Sequence, residues 1–356
     1  MSSSPGSDTQ SDTSPKPYKT SWANRFSEWV ASLPGSSVIY YLGLWVGLIL
    51  LQCLALWLEG AEIVEIYQIP HVFLSAAIAF MAVIFRYFNQ RARSALAVLK
   101  PALTLGDDEY PQMEYQLTKL PPGGPLLAAV FSVATLFINE AIVGTYLPEP
   151  LYPFHYSAAI FRGTYYICWG LFGVVVYQSL HRLAWINRIY TQHTRINLFH
   201  KSPLYALSNL AALTAGSITV LPLGFLLSNN LLDLDQLDPA SIILVLGIQA
   251  IAFLSFLWPQ LGIQRLQRSE KERLLDDIYR RYQAVFQELH KRIDEGQFES
   301  SPNLTGTITI LEKEIAKIES IPIWPWEPET VRWLLTALVL PIGVMILQLI
   351  LQRTFG

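Results

Sequence analysis

Charged side chains are scarce in this 356-residue chain: 15% are Asp, Glu, Lys or Arg, where soluble globular proteins have about a quarter, and 52% are hydrophobic. So little charge excludes an ordinary water-soluble surface and calls for an apolar solvent. The net charge of -3 excludes the global basicity of a nucleic-acid binder, so no nucleic-acid partner is expected. Cysteine is nearly absent. Cys53 and Cys168 both fall in apolar runs and read as small buried hydrophobes, not as a disulfide or a metal pair. Catalytic signatures are missing as well, with no GxSxG, HExxH or P-loop, and His181, His193 and His200 are strung along one basic loop without metal-ligand spacing. No catalytic residue, metal or cofactor is therefore expected, and the balance lies against an enzyme. The first twenty residues, MSSSPGSDTQSDTSPKPYKT, lack an apolar core and read as a disordered cytoplasmic tail, so a first membrane helix must direct insertion.

What the chain does have is long apolar runs. A bilayer core about 30 Å thick takes about 20 mostly apolar residues as helix. Seven stretches qualify, at 38–58, 69–87, 126–147, 158–180, 205–227, 240–258 and 333–351. Backbone groups in hydrocarbon must bond within their own segment, and the period-two alternation of a barrel is absent. The expected fold class is all-α: a polytopic helical membrane protein of about seven spans.

Basic residues set the orientation. Of 25 Lys and Arg, only Arg162 and Arg353 fall on one side of this seven-span scheme. The loops on that side are acidic, carrying Glu59, Glu62 and Glu65, then Glu149, then Asp233, Asp235 and Asp238. The reading is a cytoplasmic N-terminus and an outer C-terminus. The DLDQLD run lacks the Gly and distal Glu of an EF-hand loop and is not read as a metal site.

Residues 21–34 carry Trp22, Phe26, Trp29, Val30 and Leu33 at helical spacing and end at Pro34-Gly35, the pattern of an amphipathic helix at the inner interface. Trp22 and Trp29 are its anchors. The six-span bundle 38–258 follows. Within it, the loop from about 100 to 124 is broken by prolines and glycines, includes the acidic triplet Asp107, Asp108 and Glu109, and reads as a solvated connector.

Residues 259–330 are the large soluble piece before the seventh span. Leu275, Ile278, Tyr282, Val285, Leu289 and Ile293, and then Leu304, Ile308, Leu311, Ile315 and Ile318, keep three-four spacing, with Glu295-Gly296 through Ser301-Pro302 as the turn. This predicts a cytoplasmic antiparallel helical hairpin of coiled-coil type. The outgoing helix, 260–295, reaches about 54 Å and the return, 303–320, about 27 Å; the next ten residues, IPIWPWEPET, cover about 33 Å when extended and close the difference. Trp324 and Trp326 are the alternative anchors at the inner interface.

Charge inside a span is costly and marks a candidate site. Glu140, in the outer half of the third span, and Arg162, near the outer end of the fourth, reach similar depth if the helices are neighbours, with Asn139 beside them. They form either a static ion pair or a transport site. Gln178, Asn209, Thr214, Ser217, Thr219 and Gln249 read as hydrogen bonds between helices.

The stretches INLFHKSPLYALS, at 196–208, and IPIWPWEPETVRWLL, at 321–335, resemble patterns in bacterial multi-pass membrane proteins of no assigned function. The resemblance implies a bacterial inner (plasma) membrane and supplies no catalytic residues. Two functions follow as expectations. The first is a non-enzymatic signalling or scaffold protein, whose partners are the lipid bilayer and either a cytoplasmic protein or a second copy bound through 275–318. The second is a transporter or channel with a polar site in the outer half of spans three and four.

Overall fold

The computed structural model describes residues 17–60, 69–104, 106, 108–143, 155–193, 205–206, 208–219, 239–296, 301–324 and 328–355. Among them every regular element is helical and there is no strand. The α-helices are α1 (Trp22–Ser32), α2 (Ser37–Leu58), α3 (Ile69–Leu99), α4 (Tyr110–Thr118), α5 (Gly124–Val143), α6 (His155–His193), α7 (Pro239–Asp294), α8 (Ser301–Glu319) and α9 (Pro328–Phe355), and residues 208–219 are helical too. Four helices are long and apolar enough to cross a membrane, at Ser37–Leu58, His71–Leu99, Tyr156–His193 and Leu246–Asp294, and Gly124–Ile138 is a shorter apolar helix. The helices at α3, α6 and α7 extend well past the apolar runs read from sequence, because the residues beyond each run are still good helix formers.

Contacts divide the chain into two compact units. One comprises Met1–Tyr67, Leu74–Arg93 and Leu105–Arg182; the other comprises Gln68–Phe73, Ser94–Thr104 and Leu183–Gly356.

In the first unit, α1 is fastened by its polar side. The Ser21 hydroxyl oxygen accepts from the Asn24 backbone N–H at 3.3 Å, an N-cap that satisfies one of the helix's free donors. Asn24 then ties the helix to the end of α4: its amide donates to the Thr118 carbonyl at 3.3 Å and accepts from the Leu120 N–H at 2.9 Å. Ser21 N–H donates to the Leu120 carbonyl at 3.1 Å, and Lys119 pairs with Glu28. Tyr18 donates to the Lys119 carbonyl and accepts at its own carbonyl from the Tyr115 hydroxyl, both at 2.7 Å. Burial pushes the Tyr18 phenol up to about 12, so it remains a neutral donor. Two expectations change here. Tyr18, within the segment read as tail 1–20, is hydrogen-bonded, while 1–16 lie outside the described residues; and the loop 100–124 contains a nine-residue helix with Met113 and Leu117 buried. Prolines at 111 and 121 suggested an irregular loop, but proline is well tolerated in a helix's first turn, where Pro111 lies.

Asn24 and Ser27 are buried while Trp22, Phe26 and Trp29 are exposed, so the aromatic stripe of α1 faces outward. Beneath it, Ala23, Phe85, Leu120 and Val174 form a small core joined by Ala129 and Tyr177. Helices α5 and α6 approach closely at Gly173, where an added Cβ would lie 2.5 Å from the Ala128 carbonyl oxygen and 2.6 Å from the Ser132 Cβ. The Ser132 hydroxyl crosses the same contact to the Trp169 carbonyl at 2.8 Å. Small residues permit this approach, the usual basis of helix association in an apolar solvent. Glu59, read from sequence only as loop acidity, ends α2 and caps α6, accepting from Ser157 N–H at 3.0 Å and from its hydroxyl at 2.7 Å. A carboxylate there also opposes the positive end of the helix dipole.

In the second unit, the helical residues 208–219 are almost wholly buried on one side through Ala211, Ala215 and Ile218. Thr330 of α9 donates to Asn209, and Gly216 leaves room for the Trp333 ring. Helix α7 runs for 56 residues, about 84 Å, from an apolar half into a charged half. Ile278, Leu311 and Ile318 pack as a core with Leu274, Leu275, Tyr282, Val285 and Ile315. Lys271 donates to the Glu319 and Ile321 carbonyls and Tyr282 to Glu312, so rising numbers on α7 meet falling numbers on α8. Gly296, at φ 74°, sits just past the end of α7 in the left-handed conformation that suits glycine.

Replacing Gly173 by Leu forces α5 from α6 and is expected to destabilise the folded protein by about 1–3 kcal/mol. A thermal melt of detergent-solubilised protein checks this, with Gly163→Leu, where a Cβ meets open space, melting like wild type.

Candidate functional site

The residues singled out from sequence occupy the C-terminal part of α5 and the N-terminal part of α6. The Tyr166 hydroxyl donates to Glu140 Oε2 at 3.1 Å, and its ring stacks on Phe137 with centroids 4.7 Å apart. Glu140 Oε1 is buried and has no hydrogen-bond partner. Tyr166 had not been predicted from sequence; its position one helical turn from Arg162 is the signal that would have found it. Arg162 is exposed on α6, and the side chain of Asn139 lies outside the described residues. The arrangement is one buried carboxylate held from one side by a phenol and unpartnered on the other, which suits a hydrogen-bond donor as its second partner.

Of the aromatic anchors, Trp22, Trp29 and Trp324 are all exposed, and Trp326 lies outside the described residues. His200 and the DLDQLD run lie outside them too. His181 is half-buried, with Nε2 3.2 Å from the Gln116 carbonyl oxygen. Among the described residues no group of three His, Cys, Asp or Glu side chains is placed to hold a metal.

The polar residues expected to join helices divide into two sets. Gln178 does so, donating to the Phe85 carbonyl at 3.2 Å and to Asn89 Oδ1 at 3.1 Å, and Asn209 receives Thr330. Thr214, Ser217 and Thr219 instead bond back to carbonyls of their own helix, at Leu210, Thr214 and Gly216. A short hydroxyl side chain reaches the preceding turn of its own helix before it reaches a neighbour. Gln249 is buried with both amide atoms unpartnered.

A second polar cluster was not legible in sequence. Arg182 of α6, 1% exposed, is among the largest fully buried side chains of the protein. Its Nη2 donates to Asn89 Oδ1 at 2.8 Å, and its guanidinium lies over the Phe88 ring, 5.4 Å from the centroid. Nε and Nη1 have no partner. The sequence pattern had placed Arg182 in a cytoplasmic loop as one of many orienting charges; only the extension of α6 to His193 buries it.

Set against protein-family models, curated proteins and solved structures, the chain matches none. The class defined by fold and composition is therefore an all-helical protein with four helices fit to cross a membrane.

Tyr166→Phe removes the one hydrogen bond described for Glu140 and is expected to cost about 1–3 kcal/mol. The double change Tyr166→Phe with Glu140→Leu should cost less than the two single changes added. A double-mutant cycle on thermal unfolding in detergent measures that coupling.

Proposed function

We propose that the chain is an integral membrane protein of seven spans, non-enzymatic and of signalling or scaffold type. Its N-terminus is cytoplasmic, and residues 259–330 form a cytoplasmic antiparallel hairpin that docks a protein partner or a second copy of the chain. The observation that carries this reading is a stripe on α7. Tyr279, Phe286 and Ile293 recur every seven residues and are 45%, 43% and 43% exposed. The Tyr279 hydroxyl donates to Glu319 of α8 at 3.2 Å and the Phe286 ring stacks on Tyr282, but none of the three belongs to the core made by Ile278, Tyr282 and Val285 with α8, and Ile293, read from sequence as a seam residue, lies outside it; part of an apolar heptad face therefore stays exposed after the two helices have packed. On an arm otherwise covered by ion pairs such as Arg268–Glu272 and Arg292–Glu288, such a stripe suits a helical partner. The unbroken passage of α7 from an apolar half into this arm supports mechanical coupling between membrane and partner.

A second reading, a transporter or channel, is favoured by the buried, unpartnered Oε1 of Glu140. The readings separate by mutation. Under the first, deleting 275–318 abolishes function and Glu140→Gln with Arg162→Gln preserves it; under the second the pattern inverts.

Topology is tested by labelling intact cells with a membrane-impermeant maleimide after Gly60→Cys, Ser228→Cys, Ser269→Cys or Gly356→Cys, each in a Cys53→Ser, Cys168→Ser background. Seven spans predict labelling at 60, 228 and 356 and none at 269; protection at 356 alone removes the seventh crossing. Docking is tested by Phe286→Ser and Ile293→Ser together, with Tyr279 kept because its hydroxyl bonds Glu319. The double variant should keep the helical content of wild type and lose in-cell crosslinking through the arm, whereas unchanged crosslinking rejects the stripe as an interface.

A further inference from the structure

In the first unit, α3 and α6 line a cavity of about 170 Å³ with Ile78, Met81 and Phe85 from one helix and Leu171, Val174 and Val175 from the other. Trp22 and Phe26 of α1 stand at its edge and are exposed, so the cavity communicates with the surface there. Its walls are almost wholly apolar. An engineered apolar cavity of about 150 Å³ stays dry and takes up benzene, so a space of this size and lining suits hydrocarbon better than water.

Beyond the last lining residues, Phe85 and Val175, the character of both helices changes at the same level. On α3, residues 78, 81, 82 and 85 are followed on the same face by Asn89, and on α6 residues 171, 174, 175 and 178 are followed by Arg182, each set spaced three, four, seven and eleven residues from its first member. The two helices run parallel here, since Gln178 bonds Phe85 and Asn89 while Arg182 bonds Asn89. Hydrocarbon walls thus give way to amides and then to a guanidinium. Arg182 lies seven residues beyond Val175, about 10 Å along the helix, within the reach of one amphiphilic molecule.

The guanidinium itself is incomplete. Its Nε and Nη1 donors are buried without partners, and its described hydrogen bond goes to a neutral amide. No ion pair of Arg182 occurs among the described residues. Removing a cation from water is strongly unfavourable unless an anion and its acceptors complete it, and the paired donors of arginine match a phosphate in geometry.

We propose that this is a binding site for an anionic phospholipid, with a segment of an acyl chain in the apolar cavity and the phosphate on Arg182. A phospholipid is preferred to free phosphate because the unpaired guanidinium and the cavity are consecutive on the same two helix faces. The inference rests on the reading of the chain as an integral membrane protein.

The test uses the full chain, purified in a nonionic detergent and stripped of lipid, with melting temperature as readout. Phosphatidylglycerol should raise it by several degrees, and neither phosphatidylcholine nor inorganic phosphate should do so. Arg182→Gln should weaken the phosphatidylglycerol effect about tenfold or more. Without lipid, the same variant should melt at or above the wild-type temperature, because it removes a buried charge that lacks a counter-ion. Ala82→Phe fills the cavity, leaves Arg182 in place, and should also abolish the lipid effect. An equal shift with phosphatidylcholine overturns the proposal, as does reproduction of the shift by inorganic phosphate, which assigns the site to a small anion. So does an Arg182→Gln variant that fails to fold, or melts lower, in the absence of lipid, since Arg182 would then have a partner within the protein. Extraction of the wild-type chain from membranes by alkaline carbonate alone would instead remove the integral-membrane reading.

Discussion

Hydrocarbon offers no hydrogen-bond partner, and four helices of this chain are long and apolar enough to meet that constraint. A backbone that must satisfy its own N–H and C=O groups becomes helix, and it becomes helix before any tertiary contact forms. The same solvent removes the hydrophobic drive that would sort one apolar helix face from another. Packing then depends on small residues that allow close approach and on the few polar side chains that cannot remain unbonded. Gly173 against Ala128 and Ser132 is the first device; Gln178 on the Phe85 carbonyl is the second.

Polar groups accordingly sit where the helices must be held in register. Asn24 both donates to and accepts from the segment after α4, and Glu59 holds the start of α6 from the end of α2. These contacts bind segments far apart in sequence, at low cost in loop entropy because each joins ends of helices already formed. They also free the aromatic face of α1: once Asn24 and Ser27 turn inward, Trp22, Phe26 and Trp29 can only turn outward, as interfacial anchors do. The charged half of α7 follows the opposite rule. There water competes for every polar group, and the packing against α8 is a conventional apolar seam edged by ion pairs between residues three and four apart.

Arg182 stands apart from both regimes. A guanidinium with two buried, unpartnered donors is neither a helix-register device nor a solvated charge. Asn89 of the parallel α3 supplies it a neutral amide oxygen, and the cavity one to two turns earlier on the same helix faces is apolar. The cationic group and the hydrocarbon-lined space together define an amphiphile by its two ends, which is why an anionic lipid accounts for both features where a small anion accounts for one.

The composition and apolar runs alone determined that this chain is all-helical and suited to a membrane, because a solvent without hydrogen bonds leaves the backbone one economical choice. The three-four spacing of Leu275, Ile278, Tyr282 and Val285 and of Leu311, Ile315 and Ile318 was equally legible, since an apolar stripe in water must be covered. Other features were decided only in three dimensions. Helix α4 was hidden by prolines that its first turn tolerates, and the partner of Glu140 was a tyrosine 26 positions away. Tyr279 and Phe286 read as general apolar content and Ile293 as the last member of the seam, until packing against α8 left all three outside the core. Arg182 read as one more charge in a basic loop, because whether a charge is solvated or buried depends on how far its helix extends and what packs around it, and neither is a property of local sequence.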